Sequence, residues 1–393
     1  MPLENIFTIS TEEEFNATAL TTFRAQCHEN LVYQEFCRRL GKNVSSVKII
    51  EDIPFLPIEF FKSKKVICGS FRPQITFTSS GTTGSEVSKH YVKNLELYEN
   101  SYLTAFRHFY GDIEDYCVLA LLPSYLEREG SSLIYMANDL INKSKHPQSG
   151  FYLDDIDRLQ KTLVELDAQN TKTLLLGVSF ALLDMAEKFQ LKLKNTVVME
   201  TGGMKGRKKE LIREELHQLL KDGFGVRAIH SEYGMTELLS QAYSQGNGRF
   251  LAPKWMKVLT RETEDPLTLQ KVGKTGGVNI IDLANRHSCS FIATQDLGKV
   301  HTDRSFEILG RFDHSDIRGC NLMVSFLIYS FKSSAAVTSS NCSPAVADTS
   351  SFHAIFISGK SSADIYIIID SKKLKSSPSG TSTVIINFFR TIS

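Results

Sequence analysis

The sequence predicts an α/β fold in which mostly parallel sheets are covered by helices. Three short apolar runs carry that expectation: Val118-Leu119-Ala120-Leu121-Leu122-Pro123, Thr173-Leu174-Leu175-Leu176-Gly177-Val178, and 195–203 with its core Val197-Val198-Met199. Two of them end at turn residues, a proline or paired glycines, as strands buried on both faces do. The stretches 131–143, 155–168, 180–190 and 207–221 predict helices between and after them. Strands alternating with helices imply parallel crossover connections.

The elements before the first run follow from local chemistry. Residues 11–40 predict a helical region, because Thr11 and Glu14 form a capping-box pattern and Phe15, Leu20, Phe23, Leu31, Phe36 and Leu40 recur roughly at helical spacing. Pro54 to Lys62, rich in proline and aromatics, predicts a packed loop entering a short helix. Gln74-Ile75-Thr76-Phe77 is β-prone. Composition breaks near residue 324, since 324–393 holds 18 serines and no glutamate. The expected organisation is therefore one domain over 1–323 and a Ser-rich tail over 324–393.

The bulk composition narrows the function. With 42% hydrophobic and 23% charged residues, the chain of 393 residues reads as an ordinary globular protein. A net charge of +1 gives no footprint for nucleic acid. No basic segment leads into an apolar run at the start, and no apolar stretch reaches the roughly 20 residues that span a bilayer. Seven cysteines lie scattered without a CxxC pair, which reads as reduced thiols in the cytoplasm.

Three clusters carry chemistry. The first, Thr78-Ser79-Ser80-Gly81-Thr82-Thr83-Gly84-Ser85 with Lys89 nearby, follows a β-prone stretch. Glycines there let the backbone approach an anion, hydroxyls and N–H groups bond phosphate oxygens, and a lysine offsets charge. A Ser/Thr-rich turn is the plain alternative. The second, Ser231-Glu232-Tyr233-Gly234-Met235-Thr236-Glu237, pairs an aromatic that can stack on a base with a carboxylate suited to Mg²⁺. A helix start at Thr236-Glu237 is its alternative. The third joins Thr294-Gln295-Asp296-Leu297-Gly298 to Gly310-Arg311-Phe312-Asp313. An aspartate at a strand end can accept from two ribose hydroxyls, and a plain Asp-x-Gly turn is the alternative.

In order, these pieces resemble the adenylate-forming superfamily, and most of all the acyl-protein synthetase family of the bacterial luminescence fatty-acid reductase. The resemblance covers roughly residues 50–323. Ser80, Gly81, Thr82, Thr83 and Gly84 resemble its phosphate loop. Gly202 and Gly203 sit where members line the adenine pocket. Tyr233, Gly234, Thr236 and Glu237 match its YGxTE motif. Gly273 to Gly276 looks like its GxxG turn, Asp296 like its ribose aspartate and Arg311 like the arginine of its GRxD hinge. Leu56 to Lys62 and Arg318-Gly319-Cys320 resemble the acyl-protein synthetase branch in particular. Three departures stand out. Lys89 falls five residues after Gly84 instead of three, Gln295 replaces a glycine, and the superfamily's small C-terminal subdomain is not recognisable.

The resemblance implies a fold and an activity. The fold is a large adenylate-forming domain of the N-terminal type. The activity is ATP-dependent activation of a carboxylic acid, in that family a fatty acid, as an acyl-adenylate, followed by transfer to a thiol. Lys89, Glu237, Arg311 and Cys320 are the implied catalytic residues, and Glu237 the ligand of Mg²⁺. Tyr233 would stack on adenine, and Cys320 would accept the acyl group unless an acceptor protein or coenzyme A does. A phenylacetate-type acyl-CoA ligase and a nucleotide-binding remnant without turnover are the rival expectations.

Overall fold

The computed structural model describes residues 6–79, 86–122, 130–153, 155–202 and 211–311. The chain divides into two units between Phe312 and Asp313, and all described residues lie in the first.

Two helices open the unit, α1 (Glu12–Glu29) and α2 (Leu31–Arg39). The expected capping box is present: Thr11 accepts from the Glu14 amide, and the Glu14 carboxylate takes the Thr11 N–H in return. The single helical region becomes two helices at Asn30. Its Oδ1 accepts from the Val32 and Tyr33 amides, while its Nδ2 donates to Ser288 O. A buried side chain thus starts a new helix inside an unbroken apolar period.

The chain then passes through β1 (Leu56–Pro57), the short α3 (Phe60–Ser63) and a hairpin of β2 (Ile75–Thr78) and β3 (Lys89–Val92). Helix α4 (Leu95–Tyr110) precedes an alternating series. That series is β4 (Cys117–Leu121), α5 (Ser132–Ser144), β5 (Gly150–Phe151), α6 (Ile156–Ala168), β6 (Thr173–Val178), α7 (Ser179–Lys188), β7 (Thr196–Thr201), α8 (Arg213–Phe224) and β8 (His230–Tyr233). The expected helix over 207–221 thus begins only at Arg213, and 203–210 lie outside the described residues. The apolar runs read from the sequence are β4, β6 and β7, and every residue of β4 and β6 is buried. The remaining strands are β9 (Ala242–Ser244), β10 (Phe250–Leu251), β11 (Met256–Arg261), β12 (Thr275–Asp282), β13 (Phe291–Val300) and β14 (Phe306–Arg311).

One large sheet runs in the order β11-β12-β13-β14-β10-β9-β8-β7-β6-β4-β5, with β1 added parallel to β13. The parallel sheet expected from the apolar runs is the half β8-β7-β6-β4-β5. Along that order the pairings from β8 through β11 are antiparallel, and only β1 joins that half in parallel, so the sheet as a whole is mixed. The reason is local: β13 alternates buried and half-buried residues, the signature of a sheet half made by hairpins. Among the described residues no helix is long and apolar enough to cross a membrane.

Candidate active site

Asp296 lies within β13, immediately before a register shift at Leu297/Gly298, and is buried. Neither the expected strand end nor the Asp-x-Gly turn occurs there, because β12 and β14 pair with β13 on either side of it. Asp296 and Arg311 are direct cross-strand partners, and Arg311 Nε donates to Asp296 Oδ1 at 3.2 Å. The Tyr233 hydroxyl, from the end of β8, donates to the other oxygen at 2.7 Å. Burial, then the Asp296 charge, pushes the phenol well above its ordinary range, so it stays a donor. The Tyr233 ring meets Phe250 and Phe306 edge to face, at 5.9 and 5.8 Å between centroids. Three expected site residues are thereby joined around one carboxylate, on an aromatic base.

The chain turns after Tyr233, and Thr236-Glu237 lies in that turn and not in a helix. Glu237 is buried. Burial raises its carboxyl, against the Ser88 side chain and its own amide, which hydrogen-bond it, and the charges of Arg311 and Lys62. The turn is clamped from several sides. Asn285 Nδ2 donates to Glu237 O at 2.7 Å, the Leu239 and Ser240 amides donate to Asp282 Oδ2, and His90 Nδ1 lies 2.9 Å from Thr236 O.

Strand alternation separates Lys89 from these contacts. Ser88 and His90 are buried and face the Glu237 turn, whereas Lys89 is exposed and faces the other way, paired in register with Thr78. The cation whose charge acts on Glu237 from the Leu56–Lys62 segment is Lys62. The same segment explains the departure at position 295: Gln295 Nε2 donates to Glu59 Oε1 at 2.6 Å, and Ile58 N donates to Ala293 O.

Gly202 follows β7 with φ +70°, a conformation that favours glycine, and its carbonyl accepts from Ser179 Oγ. Ser179 also donates to the buried Glu200, which accepts from Ser231 as well and lies 3.3 Å from His217 Nε2. Burial works to raise the Glu200 carboxyl, and the hydrogen bonds from His217 and Ser179 hold it below its ordinary range regardless. Glu232, next to it on β8, accepts from Thr201 Oγ1, and burial pushes its carboxyl up to about 7. A Cβ at Gly234 would lie 2.4 Å from Glu232 Oε1, so a larger residue there would have to displace the Glu232 carboxylate.

Ser80, Gly81, Thr82, Thr83, Gly84, Gly203 and Cys320 lie outside the described residues. The ends of the first cluster are described: Ser79 N donates to Ser88 O, and Ser88 N donates to Ser79 Oγ at 2.9 Å. Sequence reasoning gave no place to Ser88, His90 and Asn285, and took Lys62 and Glu232 only as members of longer segments. The alternation Ser88-Lys89-His90 was the one available signal, because it sets two polar side chains on one face of a strand.

No family's sequence model matches the chain, and no curated protein matches it. Solved structures do. The open conformation of 2-hydroxyisobutyryl-CoA ligase in complex with 2-HIB-AMP and CoA is similar at 12% identity, over 80% of this chain and 74% of that one, with a TM-score of 0.59. The same ligase with 2-HIB-AMP and CoA in its thioesterification state is similar at 13% identity, over 78% and 70%, with a TM-score of 0.58. ATP-bound MatB from Rhodopseudomonas palustris matches at 17% identity and a TM-score of 0.46, and the chain spans 49% of its length. At such identities the likeness is one of fold: the described residues have the fold of adenylate-forming ligases.

Proposed function

We propose that this protein uses ATP to convert a carboxylic acid into an acyl-adenylate and then passes the acyl group to a thiol. The observation that carries the reading is the convergence of Tyr233 and Arg311 on the Asp296 carboxylate, within the fold of adenylate-forming ligases. A carboxylate retains acceptor positions after two hydrogen bonds, so Asp296 can also take ribose hydroxyls. Tyr233 would then offer its ring to adenine, with Gly202 and, by the resemblance, Gly203 lining the pocket. Ser80, Thr82, Thr83 and Lys89, with Gly81 and Gly84, would hold the phosphates of ATP.

Among the described residues no cluster of three or more His, Cys, Asp or Glu side chains could hold a metal ion alone. Mg²⁺ binds through one or two carboxylates together with substrate phosphates, and the single buried Glu237 fits that donor set. When bound, Mg²⁺ would offset phosphate charge. Glu237 would hold it, and the buried turn around Glu237 keeps that carboxylate in place. The acid's carboxylate oxygen attacks the α-phosphorus, the bond to the bridging oxygen of the β-phosphate breaks, and pyrophosphate leaves. A thiolate sulfur then attacks the acyl carbonyl, the bond to the phosphate oxygen breaks, and AMP leaves. Alignment and charge neutralisation supply most of the acceleration.

The acid is a fatty acid and the thiol is Cys320 in this reading, which rests on the resemblance to acyl-protein synthetases. The likeness to 2-hydroxyisobutyryl-CoA ligase favours coenzyme A as a second acceptor. One experiment separates the two. The protein, ATP, Mg²⁺ and a panel of acids are tested for acid-dependent pyrophosphate exchange, and then for a hydroxylamine-sensitive label on the protein. An acyl-protein synthetase labels itself, and Cys320→Ser loses the label while keeping exchange. Acyl-coenzyme A formation without self-labelling establishes the ligase, and ATP binding without exchange for any acid overturns the proposal.

A further inference from the structure

The buried imidazole of His90 takes no part in the chemistry above, yet it completes a closed circuit of hydrogen bonds around the Glu237 turn. Its Nδ1 lies 2.9 Å from Thr236 O and its Nε2 lies 2.9 Å from Ser288 Oγ. Ser288 N donates to Asn285 O, and Asn285 Nδ2 donates to Glu237 O. Two successive peptide carbonyls, of Thr236 and Glu237, are thus held from one circuit.

The proton positions follow from the partners. A peptide carbonyl only accepts, so Nδ1 must carry the hydrogen. Burial pushes the imidazole down to about 4, which leaves it neutral and Nε2 bare. Ser288 Oγ therefore donates to Nε2. Phe61 meets the ring edge to face at 5.7 Å between centroids and fixes its plane. Two residues earlier on the same strand face, the Ser88 side chain works to lower the Glu237 carboxyl against its burial. Ser88 also closes the hairpin against Ser79 at the foot of the Gly-rich segment. An apolar side chain would fill this space without the cost of burying polar atoms, so the ring's polarity is what the position uses.

We propose that His90, as its Nδ1–H tautomer, is a positioning residue that fixes the Thr236–Glu237 peptide, so that β3 ties the Glu237 carboxylate to the foot of the Gly-rich segment. The proposal rests on the assignment of Glu237 to the nucleotide site.

The test compares His90→Asn and His90→Gln in the full chain. An asparagine amide can occupy the place of Nδ1 and keep the Thr236 bond, whereas a glutamine amide reaches the place of Nε2 and keeps only Ser288. Pyrophosphate exchange, water-proton relaxation of Mn²⁺ with ATP and thermal unfolding are measured on both. His90→Asn should hold kcat within about threefold of the parent, and His90→Gln should lower it about tenfold with the KM for the acid unchanged, the effect of one lost buried hydrogen bond. The Mn²⁺–ATP relaxation enhancement should weaken only in His90→Gln. Equal kcat and relaxation in the two variants overturn the inference, as does an imidazole-nitrogen NMR spectrum of the parent showing His90 with its hydrogen on Nε2. Glu237→Gln serves as the reference. If it keeps parental Mn²⁺–ATP relaxation and exchange, the assignment of Glu237 falls and takes this inference with it. If it loses both while the two His90 variants behave alike, only the role of His90 falls.

Discussion

The Tyr233 hydroxyl donates to Asp296 Oδ2 at 2.7 Å, which links the end of a parallel strand to the interior of an antiparallel one. Removing that donor by Tyr233→Phe leaves the ring on Phe250 and Phe306 but frees Asp296 Oδ2, with Arg311 still on Oδ1. ATP affinity should fall by roughly fivefold, the worth of about 1 kcal/mol for one hydrogen bond. Asp296→Ala, which also loses the ribose contacts, should fall further. Isothermal titration with ATP decides it, and an unchanged dissociation constant in Asp296→Ala removes that residue from the site.

Glu237→Gln keeps the shape of a buried side chain and removes its charge. Acid-dependent pyrophosphate exchange should disappear while the melting temperature stays the same or rises, because burial already disfavours the charged form. Near-parental exchange in the folded variant would take Glu237 out of the reaction.

Lys89→Ala tests a side chain that faces away from Glu237. If Lys89 serves the phosphates from the Thr78 side of the hairpin, the KM for ATP should rise by about tenfold with little change in kcat. Should both constants hold, Lys62, whose charge already acts on Glu237, becomes the cation to substitute next.

Glu232 gives a pH dependence with a definite sign. Burial raises its carboxyl from 4.5 to about 7, so between those values the native state binds more protons than the unfolded chain. Its contribution to stability is present below the lower value and is lost as pH rises through the upper one. His90 and His287, both pushed down to about 4 by burial, act in the opposite direction, and equally in parent and variant. The melting temperature of Glu232→Gln relative to the parent should therefore rise between about pH 5 and pH 8. A constant difference across that range would contradict the raised carboxyl.

The parallel half of the sheet was legible because its strands are wholly apolar. Thr173 to Val178 could be bounded to the residue, and α1 announced its start through Thr11 and Glu14. The antiparallel half was not, since β13 carries Thr294, Gln295, Asp296 and Lys299 among its apolar residues and suggests a turn. The division of the first helical region turned on one buried asparagine that bonds a residue 258 positions away. For the site, motif order gave Tyr233, Asp296 and Arg311, which do converge. Ser88, His90 and Asn285 became visible only once the fold brought them to the Glu237 turn.

The reach of His90 also shapes how the molecule is made. Its two partners, Thr236 and Ser288, lie 146 and 198 positions further along the chain. A nascent chain released before Ser288 has the whole Gly-rich segment, and all of β4 to β8, but lacks the contact that closes the circuit. Bonds of such sequence separation form late in folding, after local helices and hairpins. The circuit around the Glu237 turn is thus incomplete until synthesis has passed Ser288.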